Sequence, residues 1–220
     1  MRYVTILYHQ VKKDNEKSFL HHCCLFLEGC PNILNRTSWN ARPYKRRTPL
    51  ILPATHVVVR RVASWKINIS QGFCIQTMKE LQDEQMDEQR WDDIGFNFVI
   101  CSDNNDQHQN YRARGWLYMG AHCLPYNDRS IGNTDFYFAM SALMFFIGIG
   151  VIGNYTNVNS LKTFKSLVQC GIAKNVLAKN FTLVGFTNST DIYQYYLTHF
   201  KNDTDLSFSN QHDSTRTSCN

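Results

Sequence analysis

The sequence predicts an α/β fold: a central mixed β-sheet flanked by about three helices. Three observations carry that prediction. A continuous β-branched run, His56-Val57-Val58-Val59-Arg60-Arg61-Val62, reads as a strand buried on both faces. Apolar residues at helical spacing mark two amphipathic helices, one through Cys74, Met78, Leu81 and Met86, the other through Phe164, Leu167, Val168 and Ile172. Strand-like and helix-like segments alternate along the chain, as expected of a sheet covered by helices.

The elements follow in order. Residues 1–29 carry mixed charge without a sustained period and read as a poorly ordered leader. Within it, Ser18 to Leu27 is too short, and too interrupted by His21-His22, to serve as the apolar core of a signal peptide. Residues 30–53 form a lead-in segment punctuated by Pro31, Pro43, Pro49 and Pro53. After the first core strand, a helix is expected from about Gly72 to Gln89. Ile94 to Cys101 alternates as a second strand, and Asp103-Asn104-Asn105 turns the chain into a short return strand, Gln109 to Ala113. A second long helix spans about Val158 to Ala173, ending near Gly171. Phe181 to Phe186 reads as a last strand, and Thr190-Asp191 opens a closing helix through Phe200. Residues 201–220 are polar and expected to be disordered, which leaves 30–200 as the domain proper.

Bulk properties exclude several classes. The 220 residues suit one domain, and 43% apolar with 13% aromatic content argues against global disorder. The net charge of +5 is mild, and no basic stripe with interleaved aromatics points to nucleic acid. The densest basic cluster, Arg42, Lys45, Arg46 and Arg47, reads as a solvated loop. The eight cysteines include no C-x-x-C spacing, so they do not form a metal pattern. Glycosylation triplets at Asn35, Asn68, Asn154, Asn180, Asn188 and Asn202 suggest a secretory route. Phe136 to Ile152 is uncharged and apolar, but as a helix it would reach only ~25 Å, short of the ~30 Å core of a bilayer.

Two stretches are more specific: Trp91-Asp92-Asp93-Ile94-Gly95-Phe96-Asn97-Phe98, and Arg114-Gly115-Trp116 followed by Gly120-Ala121-His122. Together they resemble the centre of the peptidoglycan recognition protein domain, which has the fold of zinc-dependent bacteriophage-type amidases (the T7 lysozyme-like fold). The resemblance runs from about Cys30 to Phe200 and is weaker at both ends. It implies a disulfide between Cys30 and Cys170, worth about 4 kcal/mol if it closes so long a loop. A second family bridge looks broken, because Asn68 stands where the partner of Cys74 would be. Removing residues 133–148 joins Ser130-Ile131-Gly132 to Ile149-Gly150-Val151-Ile152-Gly153-Asn154-Tyr155, a run that resembles the family's core strand and its following turn. Residues 133–148 are therefore read as an insertion, from a retained intron or unusual splicing, or else as an apolar loop packed on the domain.

An amidase of this fold needs zinc held by three protein ligands with an open position for water. The resemblance puts the first histidine ligand on Arg60, the second on Phe186, and the cysteine ligand in a segment missing after Thr187; Glu84 falls where an assisting tyrosine would be. Arginine has no lone pair to offer a metal. His56, His108, His122 and Cys123 show no ligand spacing of their own. The expectation is a domain without catalytic zinc, without cofactor and without amidase activity.

Residues implied in binding muramyl peptides are Arg61, Trp91, Arg114, Trp116, His122 and Arg129. Trp116 would stack on a sugar face, although core packing is an equal reading, and His122 would hydrogen-bond the peptide stem. Arg129 resembles the arginine with which some members read the extra carboxylate of diaminopimelic-acid stems. The Gly-Trp pair that accompanies it in those members is Arg90-Trp91 here. Arg60 and Arg61 would clamp stem carboxylates or fill the former metal cavity, and either use requires an acidic partner such as Glu84. The expected partners are peptidoglycan fragments and related recognition proteins as homo- or hetero-dimers, outside the cell as a secreted protein or receptor ectodomain. A decoy or co-receptor working by protein contact is the alternative, and a zinc-dependent N-acetylmuramoyl-L-alanine amidase the less favoured one.

Overall fold

A computed structural model of the chain describes residues 30–63, 70–102, 108–120, 145–186, 190–200 and 209–213. The chain divides into two compact units, Met1–Cys30 and Pro31–Asn220, and every element below belongs to the second. Its centre is a seven-stranded sheet built from β1 (Ile33–Leu34), β2 (Ala54–Ala63), β3 (Phe98–Ser102), β4 (His108–Arg112), β5 (Phe146–Ile152), β6 (Leu177–Phe186) and β7 (Ser209–Asp213). The spatial order is β1-β4-β3-β5-β2-β6-β7. β3, β5, β2, β6 and β7 run parallel, while β4 is antiparallel to β3 and carries β1 alongside it. The expected mixed sheet is the one observed.

β2 sits between β5 and β6, which is why its valines need no polar alternation: Val57, Val58 and Val59 are all fully buried. One face of the sheet is covered by helices α2 (Val158–Ala173) and α3 (Thr190–Phe200), with Phe164, Leu167, Ile192 and Tyr196 packed on Val57, Val59, Ile147 and Val151. The other face carries α1 (Gln71–Asp83), whose Cys74 and Met78 meet Val99, Cys101 and Ile152. Ser70 caps α1 by accepting the Phe73 N–H at 3.2 Å, and Asn157 caps α2 by accepting the Asn159 N–H at 2.8 Å.

Several boundaries differ from the sequence reading. α1 stops as a regular helix at Asp83 and continues as a π-type turn, Glu84–Glu88, rather than running evenly to Gln89. α2 keeps its expected bounds, with Gly171 in its last turn, where a Cβ would stand 2.8 Å from the Trp116 ring, and the left-handed residue is Asn175 at φ 55°. β3 begins at Phe98, not Ile94, because Asp93 to Asn97 serve a polar network described below. The tail is not wholly disordered: Ser209–Asp213 pairs with β6 as the edge strand β7. β5 starts at Phe146, so the last three residues of the expected insertion, Phe146 to Gly148, are strand residues paired with His56 to Val58. Most of the insertion lies outside the described residues, as does Asn68. Among the described residues, no helix is long and apolar enough to cross a membrane.

Cys74 is not left single. It is bonded to Cys101, linking α1 to β3 with the Cα atoms 6.1 Å apart, within the ordinary range for a disulfide. Both residues occupy the faces on which helix and strand meet, a juxtaposition that spacing along the chain does not display. Cys30 and Cys170 are each disulfide-bonded as well.

Candidate functional site

The parallel strands β3, β5, β2 and β6 bring their carboxyl ends to one edge of the sheet, the edge at which open α/β sheets bind ligands. Arg60 and Arg61 lie at this end of β2. Successive strand residues point to opposite faces, and register decides which arginine goes where. Arg61 is level with Val151, which packs under α2 and α3, whereas Arg60 is level with Gly150 on the α1 face. Gly150 has no room for a Cβ, which would fall 2.5 Å from Val62 and 3.3 Å from Phe96. The two arginines therefore do not share a groove floor. Only Arg60 is on the α1 face.

Arg61 has an acidic partner, but it is not Glu84. Its Nη1 lies 2.9 Å from Asp191 Oδ2 in the first turn of α3, and its guanidinium stands 5.9 Å from the Tyr155 ring. Tyr155 donates its hydroxyl to the same Asp191 oxygen at 2.9 Å; burial first, then that bond, raises the phenol pKa above its ordinary value. Tyr195 donates to the Thr156 carbonyl at 2.8 Å, fastening α3 to the β5–α2 loop. Glu84 accepts instead from Gln89 at 3.2 Å. With side chains 25% and 41% exposed, the Arg61–Asp191 pair is worth at most about 1 kcal/mol, so its role is to place α3. Asp191 and Tyr155 are the two residues here that local sequence patterns did not single out. The acidic first turn of α3 was the available signal.

On the other face, Arg60 is half-buried, and burial lowers its pKa. An arginine remains a cation nonetheless. Farther from the edge on the same face, Val58 and Val184 form a small apolar cluster with Phe146. His56 stacks on Phe146 with centroids 4.4 Å apart and the planes 12° from parallel, and its Nδ1 lies 2.8 Å from Thr55 Oγ1. Burial holds the His56 pKa below its ordinary value of 6.5. Just below that value the unfolded chain binds a proton that the folded one does not, so stability rises with pH there and falls as pH drops. We expect the denaturation midpoint to decline from about pH 7 to about pH 5.5 and the decline to flatten in His56→Gln. An unchanged slope in the variant would assign the effect elsewhere.

The motif residues turn out to be largely internal. Arg114 is clamped by three backbone carbonyls: Nε donates to Ile94 at 2.6 Å, Nη1 to Met119 at 2.8 Å and Nη2 to Asp93 at 2.8 Å. The guanidinium is committed to the loop's own backbone. Half-buried Trp116 packs on Phe98 with centroids 4.3 Å apart and presses against Gly171 of α2, at the border of the core. Trp91 is half-buried, and its backbone N–H donates to the Gln85 carbonyl at 2.8 Å. Arg90 before it is exposed and adopts φ 59°, a left-handed conformation that costs a non-glycine residue about 1–2 kcal/mol. His122 and Arg129 lie outside the described residues. Phe186 closes β6, and its side chain is likewise outside them.

Asp93 and Asn97 do the joining. Asp93, 2% exposed, accepts from Arg36 at 2.7 and 3.1 Å, from Gln82 at 2.7 Å and from the Ile94 N–H at 2.9 Å. Arg36 also donates to the Ala113 and Arg42 carbonyls. Asn97, fully buried, donates to the carbonyls of Gly115 at 2.8 Å and Tyr118 at 2.7 Å and accepts the Gly148 N–H at 2.9 Å. The two residues tie the lead-in segment, α1, the 113–118 loop and β5 into one frame at the amino end of β3.

A mixed sheet with one helix on one face, two on the other and this cross-linked frame defines an amidase-like α/β domain. The chain is 33% identical over 165 residues to the mouse N-acetylmuramoyl-L-alanine amidase, covering 71% of this chain and 27% of that protein. It is 30% identical over 170 residues to the mouse peptidoglycan recognition protein 3, covering 75% of this chain and 42% of that one. It thus spans less than half the length of these relatives. Among solved structures, the ectodomain complex of peptidoglycan recognition proteins LCa and LCx with bound tracheal cytotoxin matches with a TM-score of 0.61 at 28% identity, over 81% of this chain and 99% of that one. No protein-family model matches the sequence. The chain belongs to the peptidoglycan recognition protein family.

Proposed function

We propose that this protein binds peptidoglycan fragments outside the cell and acts in innate immune recognition without hydrolysing them. The observation that carries the non-catalytic part is Arg60, at the carboxyl end of β2 on the α1 face. A guanidinium offers only donors, so it cannot serve as a metal ligand, and its charge opposes a dication at that position. Among the described residues, no group of three His, Cys, Asp or Glu could hold a metal ion. Arg60 does not fit the ligand set of a zinc centre. Tracheal cytotoxin in the related ectodomain complex supports a muramyl-peptide ligand, and the pairing of two recognition proteins there supports a related domain as partner. The Cys74–Cys101 disulfide supports an oxidising, extracytoplasmic setting.

The experiment is retention of the full chain on insoluble diaminopimelic-type and lysine-type peptidoglycan, with added zinc. Selective retention on the former, lost in Arg129→Ala, with no peptide stems released, is the expected result. Zinc-dependent release of stems would sink the non-catalytic reading.

One observation favours a second reading, action by protein contact alone. Arg61, Arg114 and Trp116 are all engaged inside the fold, while Tyr44, Ile51, Leu52 and Leu117 are exposed. These four lie along the strip where Leu50 donates to the Leu117 carbonyl, with Arg47 stacked on Tyr44 and Tyr118. Aromatic and arginine side chains beside exposed apolar ones are the usual composition of an interface centre. Folded protein that binds neither peptidoglycan would shift the assignment to this reading.

A further inference from the structure

The chain contains six Asn-x-Ser/Thr triplets, and the asparagines of three, Asn35, Asn154 and Asn180, fall among the described residues. Their local geometries differ. Asn35 precedes the short 3-10 helix Arg36–Trp39 and makes no side-chain capping bond, while the middle residue of its triplet, Arg36, is tied to Asp93. Asn180 lies in β6, with its triplet drawn out along an extended strand rather than folded into a turn. Asn154 is exposed in the turn after β5. Its Oδ1 accepts the Thr156 N–H at 3.0 Å and the Thr156 hydroxyl at 2.7 Å. Among the described residues its Nδ2 donates to nothing.

We propose that Asn154 is a site of N-linked glycosylation. The turn brings the hydroxyl of the triplet onto the carboxamide oxygen, polarising the amide while leaving its nitrogen outward. It closes within three residues, so the nascent segment can form it before the sheet assembles. The co-reactant is a polyprenyl-pyrophosphate-linked oligosaccharide. Nδ2 attacks the anomeric carbon, a C–N bond forms, the carbon–oxygen bond to pyrophosphate breaks, one amide proton is lost, and the polyprenyl pyrophosphate departs. Both hydrogen bonds to Oδ1 survive, because the sugar is carried on nitrogen. The neighbouring Tyr155 points the other way, to Asp191, so the glycan stands at the carboxyl edge of the sheet without displacing the Arg61–Asp191 pair. The disulfide-forming route that serves Cys74–Cys101 is also the one that meets glycosyl transfer. The inference does not depend on peptidoglycan binding.

The test expresses the full chain through a eukaryotic secretory pathway and maps glycopeptides, with enzymatic deglycosylation in heavy-oxygen water to label each former attachment site. The expected result is a labelled Asn154 in most molecules. Thr156→Ala and Asn154→Gln each remove that one glycan, whereas Thr156→Ser retains it. Folded, secreted protein with Asn154 unmodified overturns the proposal, as does modification confined to other triplets or a chain that enters the pathway without any glycan. Disulfide mapping on the same samples shows whether each variant has folded, separating a misfolded variant from an unused site.

Discussion

Replacing Asp93 by alanine is expected to cost about 4 kcal/mol and to be the most damaging single change in the frame at the amino end of β3. The carboxylate is buried and answers Arg36, Gln82 and the Ile94 N–H. Its removal leaves the Arg36 guanidinium, itself 15% exposed, with two carbonyls but no counter-charge. Most of the cost is that stranded cation rather than the value of the pair. Arg36→Met with Asp93→Leu should therefore be milder than Asp93→Ala alone. Urea denaturation under non-reducing conditions reads this directly, as a lowered midpoint with an unchanged slope. A loss below about 1 kcal/mol would mean that water reaches the pair in solution.

Asn97→Ala is expected to follow at about 3 kcal/mol. Three backbone groups, the Gly115 and Tyr118 carbonyls and the Gly148 N–H, lose their partner in a site with no exposed surface. Asn97→Asp makes an informative companion. It keeps an acceptor for Gly148 but turns a carboxylate toward two carbonyls, so it should be no better than alanine at neutral pH and should recover as the pH falls. Hydrogen exchange at Gly148 provides a local readout, and continued protection of that amide in Asn97→Ala would contradict the assignment.

These two residues explain both what the sequence reveals and what it conceals. α2 and α3 were legible almost to the residue, because Phe164, Leu167 and Val168, and Ile192 with Tyr196, keep a clean helical period against one face of the sheet. Ile94 to Asn97 also alternates, yet it is no strand; Asp93 and Asn97 answer groups as far as 57 and 51 positions away, which no local pattern records. β7 was missed because an edge strand such as Ser209–Asp213 needs backbone pairing more than an apolar period. At the site, the family resemblance assigns a metal-ligand position to Arg60, and side-chain chemistry alone says that a guanidinium cannot fill it. The partner of Arg61 could not be read that way: Asp191 lies 130 positions on and meets it only through the fold. In the motif that marks the family, Arg114 holds backbone carbonyls and Trp116 packs on α2, contacts made between segments far apart along the chain.

The opposed directions of Arg60 and Arg61 also bear on how such a domain can change over time. Neighbouring codons here control separable properties: position 60 faces the α1 side, and position 61 seats α3 through Asp191. Drift at one leaves the other untouched. A lineage can therefore vary position 60 while the docking of the closing helix stays under independent selection one residue away.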